Sequence, residues 1–130
     1  MELKNKKVIL TGAGSGIGRE LAIQLIDQGA YVLGLDINEK SLKETKKLCS
    51  TPANFKHYEI DLGSREAVNK FKHDYYEFYD ELDVIINNAG IIQPFVNVGE
   101  LEAQQMDKVM DVNFNGPVKL TRMFLDELLA

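Results

Sequence analysis

The sequence predicts an α/β fold, a doubly wound parallel sheet of about four strands in the order 3-2-1-4 with flanking helices. Three observations carry the expectation. Short, wholly apolar runs such as Val8-Ile9-Leu10 suit strands buried on both faces. Segments of helical periodicity alternate with those runs, which implies right-handed crossovers between parallel strands. A glycine-rich stretch, Gly12 to Gly18, joins the first run to the first helix. Residues 1–130 read as one domain, with no internal repeat, low-complexity tract or linker.

In chain order, Val8-Ile9-Leu10 forms the first strand. Ile17, Leu21, Leu25 and Ile26 then recur at helical spacing until Gly29 ends the helix. Tyr31–Leu35 is the second strand, and Asn38 caps a Lys/Glu-rich helix that runs to about Cys49. Phe55–Ile60 is the third strand, with the alternation of a sheet edge. Ser64 caps the next helix, whose Val68, Phe71, Tyr75 and Phe78 make one apolar stripe. The aromatic run Tyr75–Tyr79 reads as core rather than as a ring-stacking surface for nucleic acid, since no basic groove accompanies it. Asp83–Ile86 is the fourth strand, and a long helix follows from about Glu102 to Leu129.

A formal charge of −5 argues against a nucleic-acid or anionic-membrane partner, which requires a basic patch. The apolar run after the N-terminal lysines is too short for a signal peptide or a membrane span. Cys49 is the only cysteine, so no intrachain disulfide forms, and a cytoplasmic location is expected. Its thiol reads as structural. No metal site is expected.

The glycine stretch, Thr11-Gly12-Ala13-Gly14-Ser15-Gly16-Ile17-Gly18, follows a buried strand and opens a helix. Bare backbone N–H groups and a helix N-terminus there favour a pyrophosphate, and side chains at Gly12, Gly16 or Gly18 would obstruct its approach or the helix–strand packing. Asp36 stands at the end of the second strand, where a carboxylate accepts from adenosine-ribose hydroxyls and repels a 2′-phosphate. The alternative is an ordinary solvated strand-end aspartate. Ile37 and Ser15 carry no charge for that phosphate, and Arg19 is the one nearby cation. NAD is therefore expected over NADP.

With these residues in place, the chain resembles the short-chain dehydrogenase/reductase family and its Rossmann-like fold. Thr11, Gly12, Gly16 and Gly18 fit the family's Thr-Gly-x-x-x-Gly-x-Gly pattern. Asp61-Leu62 looks like its adenine-contacting pair, although Asp61 also suits a turn before Gly63. Asn87-Asn88-Ala89-Gly90 matches its Asn-Asn-Ala-Gly signature, and Asn113-Phe114-Asn115-Gly116 its Asn-x-x-Gly motif. Asn87 also suits a purely structural place after the strand, while Ala89 and Gly90 are small enough to let a ribose lie against the backbone.

The resemblance implies a cofactor site at Thr11, Gly12, Ser15, Gly16, Ile17, Gly18, Asp36, Ile37, Asp61, Leu62, Asn88, Ala89 and Gly90. It implies hydride transfer between nicotinamide and an alcohol/carbonyl substrate, with Asn113 bending its helix and holding water in a proton relay. Pro117 offers a second source of the same bend.

The family's proton-transferring Tyr-x-x-x-Lys pair is not in this sequence. Tyr31, Tyr58, Tyr75, Tyr76 and Tyr79 are followed four places later by Leu35, Leu62, Tyr79, Asp80 and Asp83. In the family the orienting serine follows a fifth strand, which this sequence does not include, so residues 1–130 alone are expected to be catalytically incompetent, as a truncated piece of an oxidoreductase. The alternative is a non-catalytic NAD-binding module or a subunit of a split assembly. In either case the fourth strand, Val84-Ile85-Ile86, is expected to be an exposed edge. The final helix, with Met110, Phe114, Phe124, Leu125 and Leu128, is expected to lack part of its packing. A second copy or a partner chain is expected to cover both.

Overall fold

A computed structural model describes residues 1–130. Four strands, β1 (Lys7–Thr11), β2 (Tyr31–Asp36), β3 (Phe55–Glu59) and β4 (Val84–Ile86), form one parallel sheet in the order β3-β2-β1-β4. Val8 pairs with Val32 on one side and Val84 on the other, so β1 is central. Successive side chains of a strand point to opposite faces, and both faces here are covered. Val8, Leu10, Val32 and Phe55 pack with Ala22, Leu25 and Ile26 of α1 (Gly16–Asp27) and Leu42 of α2 (Glu39–Leu48). Ile9, Leu33 and Leu35 pack on the other face with Val68, Phe71 and Tyr75 of α3 (Arg65–Tyr75).

The local signals behave as their chemistry requires. The Asn38 side chain accepts from Ser41 N at the start of α2, and Ser64 does the same from Ala67 N at the start of α3. Gly29 follows the end of α1 and donates its N–H to Ile26. Gly34, in the middle of β2, is a packing requirement: a Cβ there would lie 2.5 Å from the Phe55 ring. Cys49 is buried, its thiol pushed up by that burial, and it donates to Thr45 O, as a structural cysteine does.

The structure corrects three expectations. The long C-terminal helix is broken into α4 (Ala103–Met110), a π-helical turn (Asp111–Asn115), α5 (Gly116–Met123) and α6 (Leu125–Leu129). The second break, at Phe124, turns that ring fully into the core, 5.0 Å from Tyr75 and 6.0 Å from Phe71. Phe124 therefore does not lack packing, although Met110, Phe114, Leu125 and Leu129 are exposed. Ile17 begins α1 but is 75% exposed, so the helical stripe that reaches the core starts only at Leu21. Val84–Ile86 lie at the sheet edge, half-buried, with their side chains in the two layers. No helix is long and apolar enough to cross a membrane.

Candidate functional site

At the C-terminal ends of the strands, where the sheet order reverses between β1 and β4, an open cleft of about 310 Å³ is lined by both halves of the chain. One wall is Gly12, Ser15, Leu35, Asp36 and Ile37; the other includes Asp61, Leu62, Asn88, Ala89, Gly90 and Lys108. Topology brings these residues together from positions far apart in sequence. Thr11, Gly16, Ile17 and Gly18 stand behind or beside the cleft rather than on its lining.

The glycine loop is shaped by three different constraints. Gly12 and Gly16 have φ of +69° and +55°, a region that disfavours side chains. A Cβ on Gly18 would lie 1.9 Å from the Gly12 carbonyl oxygen, so Gly18 lets α1 pack against the loop. Gly16 faces open space, with nothing within 4 Å of where its Cβ would be. Beside it, the Ser15 hydroxyl makes no cap bond to α1.

Thr11 ties the two strands that flank the reversal. Its Oγ1 accepts from the N–H groups of Asn88 and Ala89, both at 2.9 Å, and donates to Ile86 O at 3.4 Å. The Asn88 amide in turn donates to Gly12 O at 3.4 Å. Asn87 points elsewhere and donates to Thr121 Oγ1, a structural role. Asp36 holds its own wall: Oδ2 accepts from Gly14 N at 2.9 Å and Oδ1 from Asn38 N at 3.1 Å. A carboxylate has about four lone-pair positions, so both oxygens keep capacity towards the cleft.

Arg19, the nearby cation, is committed to structure. Its guanidinium donates to Gly14 O, Ser41 O, Thr45 Oγ1 and Glu44 Oε2, binding the loop to α2, and it does not line the cleft.

On the opposite wall, Asp61 accepts from Gly63 N at 2.9 Å and from Lys108 Nζ at 2.6 Å. Partial burial pushes its carboxyl up, but these donors outweigh burial and hold it below the ordinary carboxylate value. Ile60, Leu62 and Val112 supply apolar surface beside it.

Asn113 sits inside the π-helical turn. Its Oδ1 accepts from Ile91 N at 2.8 Å and its Nδ2 donates to Ile91 O at 2.7 Å, so one side chain fixes the loop after β4. A Cβ on Gly116 would lie 2.6 Å from Leu62 O, which shows how closely the turn approaches the end of β3. The extra residue of the π turn accounts for the irregularity, and Pro117 follows it in the first turn of α5.

Leu35, Ile60, Ile91, Lys108 and Val112 also line the cleft and carry no signal in the sequence motifs. The one available hint was the i, i+4 spacing of Lys108 and Val112, which places both on one helical face.

Residues 6–130 match the family described as short chain dehydrogenase. An uncharacterized oxidoreductase of Thermotoga maritima is 34% identical, over 98% of this chain and 50% of its own length. The NADPH-dependent pterin aldehyde reductase of Arabidopsis thaliana is 31% identical, over 95% of this chain and 51% of its own. The short chain dehydrogenase of Shigella flexneri superposes with a TM-score of 0.87 at 29% identity, covering 98% of this chain and 52% of that one. The fold is a Rossmann-like parallel sheet with flanking helices. The chain belongs to the short chain dehydrogenase family, and that family points to an oxidoreductase. It spans about half the length of the curated relatives it matches.

Proposed function

We propose that residues 1–130 form the dinucleotide-binding domain of a short-chain dehydrogenase/reductase that uses NAD in preference to NADP and transfers hydride between nicotinamide and an alcohol/carbonyl substrate. The observation that carries the reading is the open space before Gly16 at the start of α1, in a loop that shares one cleft wall with the Asp36 carboxylate. That space fits a group that approaches backbone closely, and an anion is favoured at the N-terminus of α1. When bound, nicotinamide supplies the hydride donor or acceptor.

The chain's own residues bind and orient. Gly12, Gly16, Ile17 and Gly18 shape the approach to the N–H groups of the loop, and Ser15 adds a hydroxyl. Asp36 accepts from ribose hydroxyls, and its charge, with Arg19 already committed and Ile37 uncharged, disfavours a 2′-phosphate. Asp61 and Leu62 meet the base. Thr11 holds Asn88, Ala89 and Gly90 where a second ribose can lie. Asn113, by fixing Ile91, sets the loop that leads from β4 towards the reacting end. A second copy or a partner chain covering the β4 edge and the exposed Met110, Phe114 and Val118 completes the proposal, in a cytoplasmic setting.

A non-catalytic nucleotide-binding role is the second reading, and four of the five tyrosines are set against proton transfer. Burial pushes Tyr58 and Tyr79 up to about 12 and raises Tyr75 too, and the hydrogen bond to Glu127 raises Tyr76. A proton-transferring tyrosine needs the opposite shift.

Titration of the chain with NADH and NADPH by calorimetry tests the proposal. Saturable binding is expected, tighter for NADH, and Asp36→Ala is expected to narrow the difference. Absence of saturable binding to either dinucleotide would overturn it, and an unchanged ratio in Asp36→Ala would overturn the cofactor preference.

A further inference from the structure

Lys108 is the one cation lining the cleft. It reaches Asp61 across 47 residues of sequence, and the site where they meet is built for that contact. A Cβ on Gly63 would lie 2.7 Å from Lys108 Nζ and 3.1 Å from Val112 Cγ2, so the bare backbone at Gly63 admits the ammonium. No residue of α4 is buried, which leaves this pair as a direct tie between that helix and the end of β3.

The tie also sets what Asp61 can do. Oδ1 accepts from Gly63 N and Oδ2 from Lys108, so rotation about the carboxyl is checked at both oxygens. About two of its lone-pair positions remain, and the side chain keeps 35% of its surface open. Ile60, Leu62 and Val112 beside it make an apolar slot for a planar ring. A fixed anionic acceptor at the edge of such a slot suits a ring that carries an amino group. A carbonyl oxygen in the same place meets the carboxylate lone pair to lone pair.

We propose that Lys108 is a positioning residue for the base-binding end of the cleft: it fixes the Asp61 carboxylate so that the site selects a 6-aminopurine over a 6-oxopurine. The inference rests on the dinucleotide reading above.

The test is calorimetric titration of the chain with NADH and with reduced nicotinamide hypoxanthine dinucleotide, which differ only at the purine. The unsubstituted chain is expected to prefer NADH about tenfold, on the order of one charge-assisted hydrogen bond. Lys108→Met is expected to lose most of that preference by weakening NADH alone, while Lys108→Arg, which retains a cation able to hold Asp61, keeps it. A thermal transition measured on each variant shows that the domain is intact. An undiminished preference in Lys108→Met overturns the proposal. A loss confined to the hypoxanthine dinucleotide overturns it too, since the ammonium then meets the base itself. Equal binding of both dinucleotides by the unsubstituted chain overturns the selection and leaves the dinucleotide reading standing. Binding of neither overturns both.

Discussion

The two walls of the cleft are held in place by different forces. Val8, Ile9, Leu10, Val32, Leu33 and Leu35 behind the first wall are buried almost completely, and the glycine loop is wedged against α1 with no space at Gly18. On the second wall, residues 91–100 are exposed, α4 has no buried residue, and Val112 is the only residue of the π turn that is buried. That wall is positioned by side-chain hydrogen bonds: Thr11 to Asn88 and Ala89, Asn113 to Ile91, and Lys108 to Asp61. Packing is cooperative, whereas single polar ties open locally. The first wall is thus set by the core, and the second is adjustable.

Substitution at Gly18 probes the packed wall most severely. In Gly18→Ala the new Cβ meets the Gly12 carbonyl oxygen at 1.9 Å, a backbone atom that cannot move without shifting the loop. A loss of about 3 kcal/mol in guanidinium unfolding is expected, at the upper end for overpacking. Gly16→Ala meets no atom and incurs only the left-handed backbone penalty, about 1–2 kcal/mol. Its larger effect is expected on NADH binding. Equal stability of the two variants would mean that the first wall is not held by close packing.

Thr11→Val tests the seam between the walls. The shape is preserved, but two part-buried N–H groups, those of Asn88 and Ala89, lose their acceptor. Destabilisation of about 2 kcal/mol is expected. Faster amide exchange should be confined to the loop after β4, with β1 and β2 still protected. Uniform acceleration across the sheet would show instead that Thr11 belongs to the core.

Asn113→Ala removes a pair of exposed hydrogen bonds, so about 1 kcal/mol is expected. The more telling readout is exchange at Ile91, which should rise while the Phe71 and Tyr75 amides in α3 stay protected. Unchanged exchange at Ile91 would place the control of that loop elsewhere.

The same contrast explains what could be read from the sequence. Strands β1 and β2, the loop between them, and the caps at Asn38 and Ser64 are written in neighbouring residues, because burial on both faces and capping are local patterns. The sheet order was expected from the doubly wound class that alternating strands and helices imply. Asp36, Asp61 and Asn88 to Gly90 were legible as strand-end motifs. In the C-terminal helix the bend at Asn113 was implied by the family resemblance, whereas the second break, at Phe124, carries no local signal. Both arise from Asn113 holding Ile91, Gly116 lying against Leu62 and Phe124 turning to Tyr75, all contacts between distant segments. Ile17 fits the stripe by spacing, yet it lies in the first turn beside the open loop and is exposed. The Lys108–Asp61 pair and the commitment of Arg19 to α2 were invisible for the same reason.

The smallest expected effect is the acid dependence of the Lys108–Asp61 tie. Burial raises the Asp61 carboxyl, and the hydrogen bonds from Lys108 and Gly63 lower it by more, so its folded value lies below the unfolded one of about 3.9. A depressed folded value means stability that is fully present above about pH 4 and is lost as pH falls through the folded value. Both side chains are partly exposed, so solvent screening keeps the contribution small. The Tm of the wild-type chain should exceed that of Asp61→Asn at neutral pH, and the gap should close below about pH 4, where Asp61 takes up its proton. Added salt should shrink the neutral-pH gap. A gap independent of both pH and salt would mean that the second wall is held there by packing, as the first wall is, and not by charge.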